Sequence, residues 1–125
     1  MEGSLKLKEV SYIHSEAYQA GELKHGTISL IDEDVPVISI VTDKDIREKS
    51  ISNIQEVKAR GAKCIVISNE KIEGYDINIV VPELSCFFQP LLIVPCLQLI
   101  AYEVAKLRGC DIDKPKNLAK SVTVE

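Results

Sequence analysis

Apolar residues recur along the chain at two spacings, one typical of amphipathic helices and the other of buried strands. The helical spacing first appears in residues 5–20, where the apolar positions are Val10, Ile13, Ala17 and Ala20. Residues three and four apart share one face of a helix, so this segment is predicted to be helical. Ser4 is suited to cap its start and Gly21 to end it. The polar segment GELKHG that follows is expected to form a turn.

Three short apolar runs rich in β-branched residues have the length of strands. They are VPVISIV at 35–41, CIVIS at 64–68 and INIVV at 77–81. Continuous runs of this kind are typical of strands buried on both faces, as in a parallel sheet. The polar residues 69–76 between the second and third runs are expected to form a loop.

A second helix is predicted at residues 43–60, between the first two strands. Thr42 with Asp45 three residues later resembles a capping box with Asp in place of Glu. Gly61 is placed to end the helix. The positions expected to face inward are Ile51, Ile54 and Val57.

A third helix is predicted at residues 84–108, with Pro90 and Pro95 interrupting its first part. Gly109 is placed to end this helix. The tail, residues 110–125, has no helix or strand period. The regular apolar positions of the third helix are Leu97, Ile100, Ala101, Val104, Ala105 and Leu107.

Strands alternating with helices through short connections predict an α/β fold, a three-layer αβα domain around a parallel sheet. Only three strands are predicted in the 125 residues, and no strand precedes the first helix. We therefore expect one domain that is truncated at its N-terminal side. Such a domain leaves a sheet edge and helix faces uncovered, which predicts self-association, for example by exchange of the first helix or the tail.

Composition narrows the function classes. The net charge is −4, with 15 basic and 19 acidic residues well mixed, so nucleic acid and anionic membrane surfaces are disfavoured as partners. No signal peptide is visible, and the apolar run 91–99 is shorter than the ~20 residues that a membrane span needs. The four cysteines form no CxxC pair and there are only two histidines, which argues against a zinc site. We expect no metal and no cofactor. Cys64 and Cys96 are expected in the core, and the cysteine usage favours the cytoplasm.

Three features could carry chemistry, and each also has an ordinary explanation. Lys6 and Glu9 are three residues apart and therefore neighbours on one helical face, where they could form a simple surface ion pair. His25 in GELKHG could be only a polar turn residue. The basic tail KPKNLAKSVTVE could be only a solvated chain end.

Together these motifs closely resemble the C-terminus of the glutamine:fructose-6-phosphate amidotransferases. The resemblance covers essentially all 125 residues and is carried by LKEVSYIH, GELKHG and NLAKSVTVE. It implies a partial SIS (sugar isomerase) domain over residues 1–125, of flavodoxin-like αβα type, with a catalytic tail at about 110–125. It further implies the family reaction, in which fructose 6-phosphate and glutamine-derived ammonia give glucosamine 6-phosphate. Thr27 departs from the proline usual in the family and should loosen that turn.

The resemblance implies a role for four residues. Lys120 corresponds to the lysine that forms a Schiff base with the open-chain ketose, which requires a neutral amine and hence a lowered pKa. Glu9 corresponds to the base that moves a proton between C1 and C2 of the sugar imine. His25 corresponds to the residue that opens the sugar ring, and in the family it serves the neighbouring subunit, which implies a homodimer. Lys6 corresponds to a lysine that holds the base or stabilises oxyanion charge.

The family's phosphate-binding Ser/Thr-rich loop and N-terminal cysteine nucleophile have no counterpart in this sequence, which begins Met1-Glu2. Without a phosphate anchor the sugar is poorly oriented, so we expect the isolated chain to be nearly inactive. The alternative is a non-catalytic SIS module that binds a sugar phosphate or serves dimerisation, since a fold does not imply a function. The tail lysine favours the enzyme, because a binding module needs no imine-forming amine.

Overall fold

The computed structural model describes residues 1–116 and residue 118. The chain forms two compact units, one from Met1–Ala17 with the described part of Val94–Glu125, the other from Tyr18–Ile93. The helices and strands are α1 (Glu2–Ser11), β1 (Pro36–Val41), α2 (Arg47–Lys58), β2 (Lys63–Ser68), β3 (Ile77–Val80) and α3 (Pro90–Leu107), with 3₁₀ helices at Ala20–His25 and Thr27–Leu30.

The second unit contains a parallel sheet with the strand order β1-β2-β3. Val37 pairs with Cys64, and Ile65 pairs with Ile77. The three predicted strands and their parallel arrangement are therefore confirmed. The parallel connection from β1 through α2 to β2 follows the usual α/β pattern.

Burial differs between the central strand and the two outer strands. Three consecutive residues at the end of β2 are buried, Val66 and Ile67 at 0% exposed and Ser68 at 1%. In contrast, Ile40 on β1 is 45% exposed and Ile77 on β3 is 51% exposed. The expectation that all three strands are buried on both faces is correct for β2 and wrong for the others. Each outer strand has one strand neighbour among the described residues, which leaves it as a sheet edge.

The core of the second unit is largely aliphatic. α2 covers the sheet with Ile54 and Val57, which are 3% and 1% exposed, and Ile51 packs against the same cluster. This confirms the predicted inward face of the second helix. The buried members of the cluster are Val41, Ile54, Val57, Ala62, Cys64, Val66 and Ile72.

α2 is shorter at its start than the sequence predicted. It begins at Arg47 and has no side-chain cap, so the Thr42–Asp45 capping box is wrong. The physical reason is a competing local bond, because the Asp43 carboxylate accepts a hydrogen bond from the Asp45 backbone N–H at 3.0 Å. The end is as expected. Gly61 has a φ of +96°, and its N–H donates to the Lys58 carbonyl at 2.9 Å in a Schellman-type end.

The first unit begins with α1, whose predicted bounds need correction at both ends. The helix starts at Glu2, so Ser4 lies inside it and is not its cap. It ends at Ser11 because Tyr12 adopts a left-handed conformation with a φ of 57°. Residues 12–19 are not helical, and Gly21 lies in the 3₁₀ helix Ala20–His25, which is also the conformation of the predicted GELKHG turn.

α3 begins at Pro90 and not at residue 84. Proline is well suited to the first turn of a helix, where its missing N–H is not needed. The preceding segment is held by the buried Gln89, whose Oε1 accepts from the Leu84 N–H at 2.8 Å and whose Nε2 donates to the Pro82 carbonyl at 3.2 Å. Pro95 lies within the helix without ending it.

The C-terminal end of α3 was predicted correctly. Gly109 has a φ of +68°, and its N–H donates to the Lys106 carbonyl while the Cys110 N–H donates to Ala105. These two bonds form a Schellman motif. Ala101 and Ala105 are buried, whereas the apolar Leu107 is 86% exposed.

By length and composition α3 is apolar enough to cross a membrane, and it is the one helix of this kind among the described residues. Core helices of soluble proteins pass the same test, so this is a weak indication. The predicted apolar run 91–99 is therefore part of a longer apolar helix.

Candidate active site

Lys6 and Glu9 form a hydrogen-bonded ion pair on α1. Lys6 Nζ lies 2.5 Å from Glu9 Oε2, and the carboxylate of Glu2 lies 3.8 Å from the same ammonium. The two side chains are 32% and 23% exposed, so the pair is partly shielded from water. The three-residue spacing that the sequence suggested does place these groups together on one helical face.

The environment of Lys6 favours its charged form. The hydrogen bond that Lys6 donates to Glu9, with the charges of Glu9 and Glu2, raises the pKa of Lys6 above its usual value, against an opposing effect of burial. Lys6 is therefore an ammonium at neutral pH. A protonated amine cannot attack a carbonyl, but it can hold a carboxylate in place and stabilise a developing negative charge.

Close packing within the first unit holds α1 in position. Gly3 is buried, and a Cβ added there would lie 3.0 Å from the Leu97 Cβ. The absence of a side chain at Gly3 thus lets α1 approach Leu97 closely. At the helix end the Ser11 hydroxyl, 0% exposed, donates to the Leu7 carbonyl at 2.6 Å. The side-chain pair on α1 is therefore carried by a tightly packed helix.

The chain that leaves α1 is also fastened. The Ser4 hydroxyl donates to the Ser15 carbonyl at 2.8 Å, which ties the segment after the helix back to its first turn. The Tyr12 hydroxyl accepts a hydrogen bond from the Lys116 backbone N–H at 2.5 Å. Tyr12 thereby joins the end of α1 to the C-terminal tail.

His25 lies in the second unit, at the end of the 3₁₀ helix Ala20–His25, and is exposed. The two residues before His25 hold this helix in place. Leu23 packs against the core, and Lys24 pairs with Glu56 of α2 at 2.6 Å. The His25 imidazole is therefore exposed, while the backbone that carries it is held by its neighbours. Lys120 lies outside the described residues.

A cavity of about 220 Å³ opens at the carboxyl ends of β1 and β2. This is the edge at which parallel α/β sheets usually bind ligands. Two ion pairs border it, Lys44–Glu83 and Arg47–Glu70, each at 2.7 Å. Its lining residues are Val41, Thr42, Asp43, Lys44, Arg47, Asn69, Glu70 and Glu83.

The charges of this cavity do not favour a phosphate. Three of its lining side chains are carboxylates, and its two cations are already paired with two of them. A phosphate would have to displace carboxylates from both cations, which costs interaction energy. The cavity therefore does not replace the phosphate-binding loop that the sequence lacks.

Among the described residues no cluster of metal ligands is present, and the Cys64 thiol lies in the core. Within residues 1–116 and 118, no group of three or more His, Cys, Asp or Glu side chains could hold a metal ion. Burial raises the pKa of the Cys64 thiol, and the nearby Asp76 carboxylate adds to this effect. Cys64 is 0% exposed and confirms the expected core position, whereas Cys96 is only partly buried.

Sequence reasoning missed two features, the cavity and Tyr12. The lining of the cavity comes from three separate segments, so no local motif marks it. Tyr12 lies within the apparent helical period of residues 5–20, and nothing in that pattern indicates a left-handed residue. An aromatic residue in this conformation is uncommon, and it is visible only in the structure.

The chain is similar over its length to known aminotransferases. It is 56% identical to the glutamine–fructose-6-phosphate aminotransferase (isomerizing) of Clostridium acetobutylicum, covering 100% of this chain and 21% of that protein. It is also 56% identical to the protein of the same name from Thermus thermophilus, covering 99% of this chain and 21% of that protein. The chain thus spans about a fifth of the length of these relatives.

A solved structure agrees with these sequence comparisons. The C-terminal domain of glucosamine-fructose-6-phosphate aminotransferase from Francisella tularensis superposes with a TM-score of 0.82 at 39% identity, covering 90% of this chain and 33% of that one. The sequence pattern of the SIS domain matches residues 1–82. The predicted resemblance and the SIS-type α/β fold are confirmed, and the chain belongs to the SIS domain family.

Proposed function

We propose that this chain supplies the acid–base and imine-forming groups of an isomerase site that makes glucosamine 6-phosphate and water from fructose 6-phosphate and glutamine-derived ammonia. The observation that carries this proposal is the Lys6–Glu9 pair, hydrogen-bonded at 2.5 Å on α1. It occurs in a chain that is 56% identical to an aminotransferase named for this substrate. The relatives are about five times longer, so the chain provides part of the complete enzyme.

In the proposed mechanism Lys120 acts once the sugar ring is open. Its neutral amine adds to the C2 carbonyl of the open-chain ketose, and water leaves to form an imine. Ammonia then replaces the lysine amine at C2. This route splits a difficult substitution into two easier steps, which is the usual advantage of a covalent intermediate.

Glu9 then moves a proton between the two sugar carbons. It removes a proton from C1 and returns one to C2. The C1 hydroxyl loses its proton and the imine nitrogen gains one, so that C1 becomes the aldehyde and C2 carries the amine. Lys6 binds Oε2, which leaves Oε1 as the oxygen that would exchange the proton. The Lys6 ammonium would hold the carboxylate and stabilise negative charge on the sugar oxygen during the transfer.

His25 opens the sugar ring by giving one proton and taking another. Its exposed position on a supported 3₁₀ helix suits a side chain that reaches into the site of a neighbouring molecule. We therefore propose a homodimer in which each subunit donates His25 to its partner. The proposed enzyme works in the cytoplasm, with a sugar phosphate as its ligand.

Borohydride trapping tests the chemistry. The protein used is a chimera in which this chain replaces the matching fifth of the Clostridium acetobutylicum relative. Incubation with fructose 6-phosphate and sodium borohydride should reduce the imine to a secondary amine on the peptide that contains Lys120, detected by mass spectrometry. Lys120→Arg should abolish the adduct, whereas Lys114→Arg, a second tail lysine, should not.

Two results would contradict the proposal. A chimera that binds fructose 6-phosphate and forms no adduct would indicate a non-catalytic sugar-phosphate module. An adduct on another lysine, retained in Lys120→Arg, would show that the imine does not form on Lys120.

Complementation between two inactive variants tests the shared site. Subunits carrying Glu9→Gln are mixed with subunits carrying His25→Asn. If His25 serves the partner subunit, each mixed dimer has one intact site, and an equal mixture should recover about a quarter of the original activity. If His25 serves its own subunit, every site has one defect and the mixture stays inactive.

A further inference from the structure

We propose that Tyr12 is a positioning residue for Lys120, acting by fastening the C-terminal tail to the end of α1. The inference rests on the proposed function, since it gives Tyr12 a purpose in the imine-forming step. It starts from a backbone outlier. Tyr12 has a φ of 57° and a ψ of 27°, and it is the one non-glycine residue with positive φ among the described residues.

This conformation has a cost that needs an explanation. A residue with a Cβ pays about 1–2 kcal/mol in the left-handed region. Such outliers persist where the surrounding structure fixes them, and they concentrate at functional sites. Here the adjoining backbone is fixed on both sides, by the Ser11 bond to Leu7 at 2.6 Å and the Ser4 bond to Ser15 at 2.8 Å.

The strained residue makes two contacts with one residue of the tail. Its hydroxyl accepts from the Lys116 N–H at 2.5 Å, across 104 positions of sequence. The Lys116 ammonium lies 6.0 Å from the centre of the Tyr12 ring, within the range of a cation–π interaction. The same ring thus binds both the backbone and the side chain of Lys116.

The tail before Lys116 is also shaped by local bonds. The Asp111 carboxylate accepts from the backbone N–H groups of Asp113 and Lys114, at 3.1 and 3.0 Å. This turn follows directly on the Schellman end of α3. The path from α3 to Lys116 is therefore defined by hydrogen bonds, and Tyr12 is its last described anchor.

The anchor limits where the imine lysine can be. Lys120 follows Lys116 by four residues, and four extended residues span at most about 14 Å. Tyr12 is three residues beyond Glu9 on the same chain segment. Fastening Lys116 at Tyr12 ties the start of the segment that leads to Lys120 to the end of the helix that carries Glu9. Positioning of this kind lowers the entropic part of the barrier.

Tyr12→Phe tests the proposal, because it removes the acceptor oxygen and keeps the ring. Tyr102→Phe, which removes the same group from an exposed tyrosine of α3, is the matched control. In the 125-residue chain, Tyr12→Phe should speed amide hydrogen exchange at Lys116 about tenfold, which corresponds to ~1.4 kcal/mol. Tyr102→Phe should leave this exchange unchanged.

In the chimera with the Clostridium acetobutylicum relative, Tyr12→Phe should lower kcat and the rate of borohydride trapping by about tenfold. The KM for fructose 6-phosphate should change by less than about twofold, because Tyr12 is proposed to act on the imine-forming step and not on sugar binding. A purely structural role would not separate kcat from KM in this way.

The proposal is overturned if Lys116 exchange is unchanged in Tyr12→Phe, or if KM rises while kcat stays the same. If the chimera with native Tyr12 traps no sugar, the proposed function fails and the positioning role fails with it. The exchange result then still decides whether the tail is anchored at Tyr12.

Discussion

The two units of this chain differ in what holds them together. Unit Tyr18–Ile93 is organised around a buried, largely aliphatic cluster, in which Val57 and Val66 are 1% and 0% exposed. The unit that contains α1 instead shows a series of polar contacts, from the Lys6–Glu9 ion pair to the bond between Tyr12 and Lys116.

This difference separates stability from chemistry. Burial of apolar surface is non-directional and supports a sheet without specifying individual side chains closely. Hydrogen bonds and ion pairs depend on direction and distance, which is what a reacting group needs. Substitutions in the sheet should therefore cost mainly stability, and substitutions of the polar side chains on α1 should cost mainly activity.

The largest expected effect is kinetic. Glu9→Gln should lower kcat of the chimera about 10²–10⁴-fold, the usual contribution of a general base, with little change in stability. Glu103→Gln is the matched control, since Glu103 also lies three residues from a lysine, Lys106, in the same unit. Glucosamine 6-phosphate formation and urea unfolding measure the two quantities. Equal losses in both variants would remove the special role of Glu9.

Next in size is a substitution in the central strand. Ile67→Ala, at a site 0% exposed, should lower the free energy of unfolding by about 2–5 kcal/mol, because it removes buried methyl groups and leaves a cavity. Ile77→Ala, at the 51% exposed edge, should cost less than about 1.5 kcal/mol. Urea titration of the isolated chain measures both. Similar losses of unfolding free energy at the two sites would contradict the difference in burial between the central strand and the edge strand.

A smaller effect is expected where α1 meets Leu97. Gly3→Ala places a Cβ 3.0 Å from the Leu97 Cβ, and overpacking of this kind costs about 1–3 kcal/mol, partly offset by the better helix propensity of Ala. Gly21→Ala, where an added Cβ meets nothing within 4 Å, is the control. Urea unfolding should show a loss only for Gly3→Ala. A second substitution, Leu97→Ala, should recover part of it, and a failure to do so would contradict this packing.

The smallest effect is the pH dependence of the Lys6 ion pair. Because the pKa of Lys6 is raised by Glu9, its stabilisation is fully present below the usual lysine value of 10.5 and is lost as pH rises through the raised value. An exposed pair three residues apart contributes a few tenths of a kcal/mol. The stability difference between the native chain and Lys6→Met should therefore shrink between pH 9 and pH 12. A stability difference that grows over this range would contradict a stabilising contribution from the Lys6 ammonium.

The activity of the 125-residue chain by itself is a further test. Neither the sequence nor the cavity at the carboxyl ends of β1 and β2 offers a phosphate anchor within the described residues. The 125-residue chain alone should therefore form no measurable glucosamine 6-phosphate from fructose 6-phosphate and ammonium. Turnover by the purified chain would show that the sugar is oriented by groups other than a phosphate cradle.

Local patterns predicted the second unit better than the first. The β-branched runs identified β1, β2 and β3 to within one residue at each end, and the apolar spacing of α2 identified Ile54 and Val57 as core positions. These features depend on periodicity, which neighbouring residues determine. The start of α2 was wrong because the Asp43 carboxylate binds a backbone N–H before the helix begins.

The candidate site was predicted unevenly for the same reason. The Lys6–Glu9 contact follows from helical geometry alone, and the structure confirms that they are neighbours. The end of α1 at Tyr12 does not follow from periodicity, which continues smoothly to residue 20. The roles of Glu9, His25 and Lys120 come from family resemblance and stay predictions.

Residue spacing was enough to specify the strands, the inward face of α2, the glycine ends of α2 and α3, and the pairing of Lys6 with Glu9. Tertiary contacts alone decided which strand is central, where α1 stops, and that Lys116 binds Tyr12 across 104 positions. The physical reason is the range of the interactions. Periodicity records which face of an element is apolar, whereas burial, backbone strain and tail anchoring depend on partners that are distant in the chain.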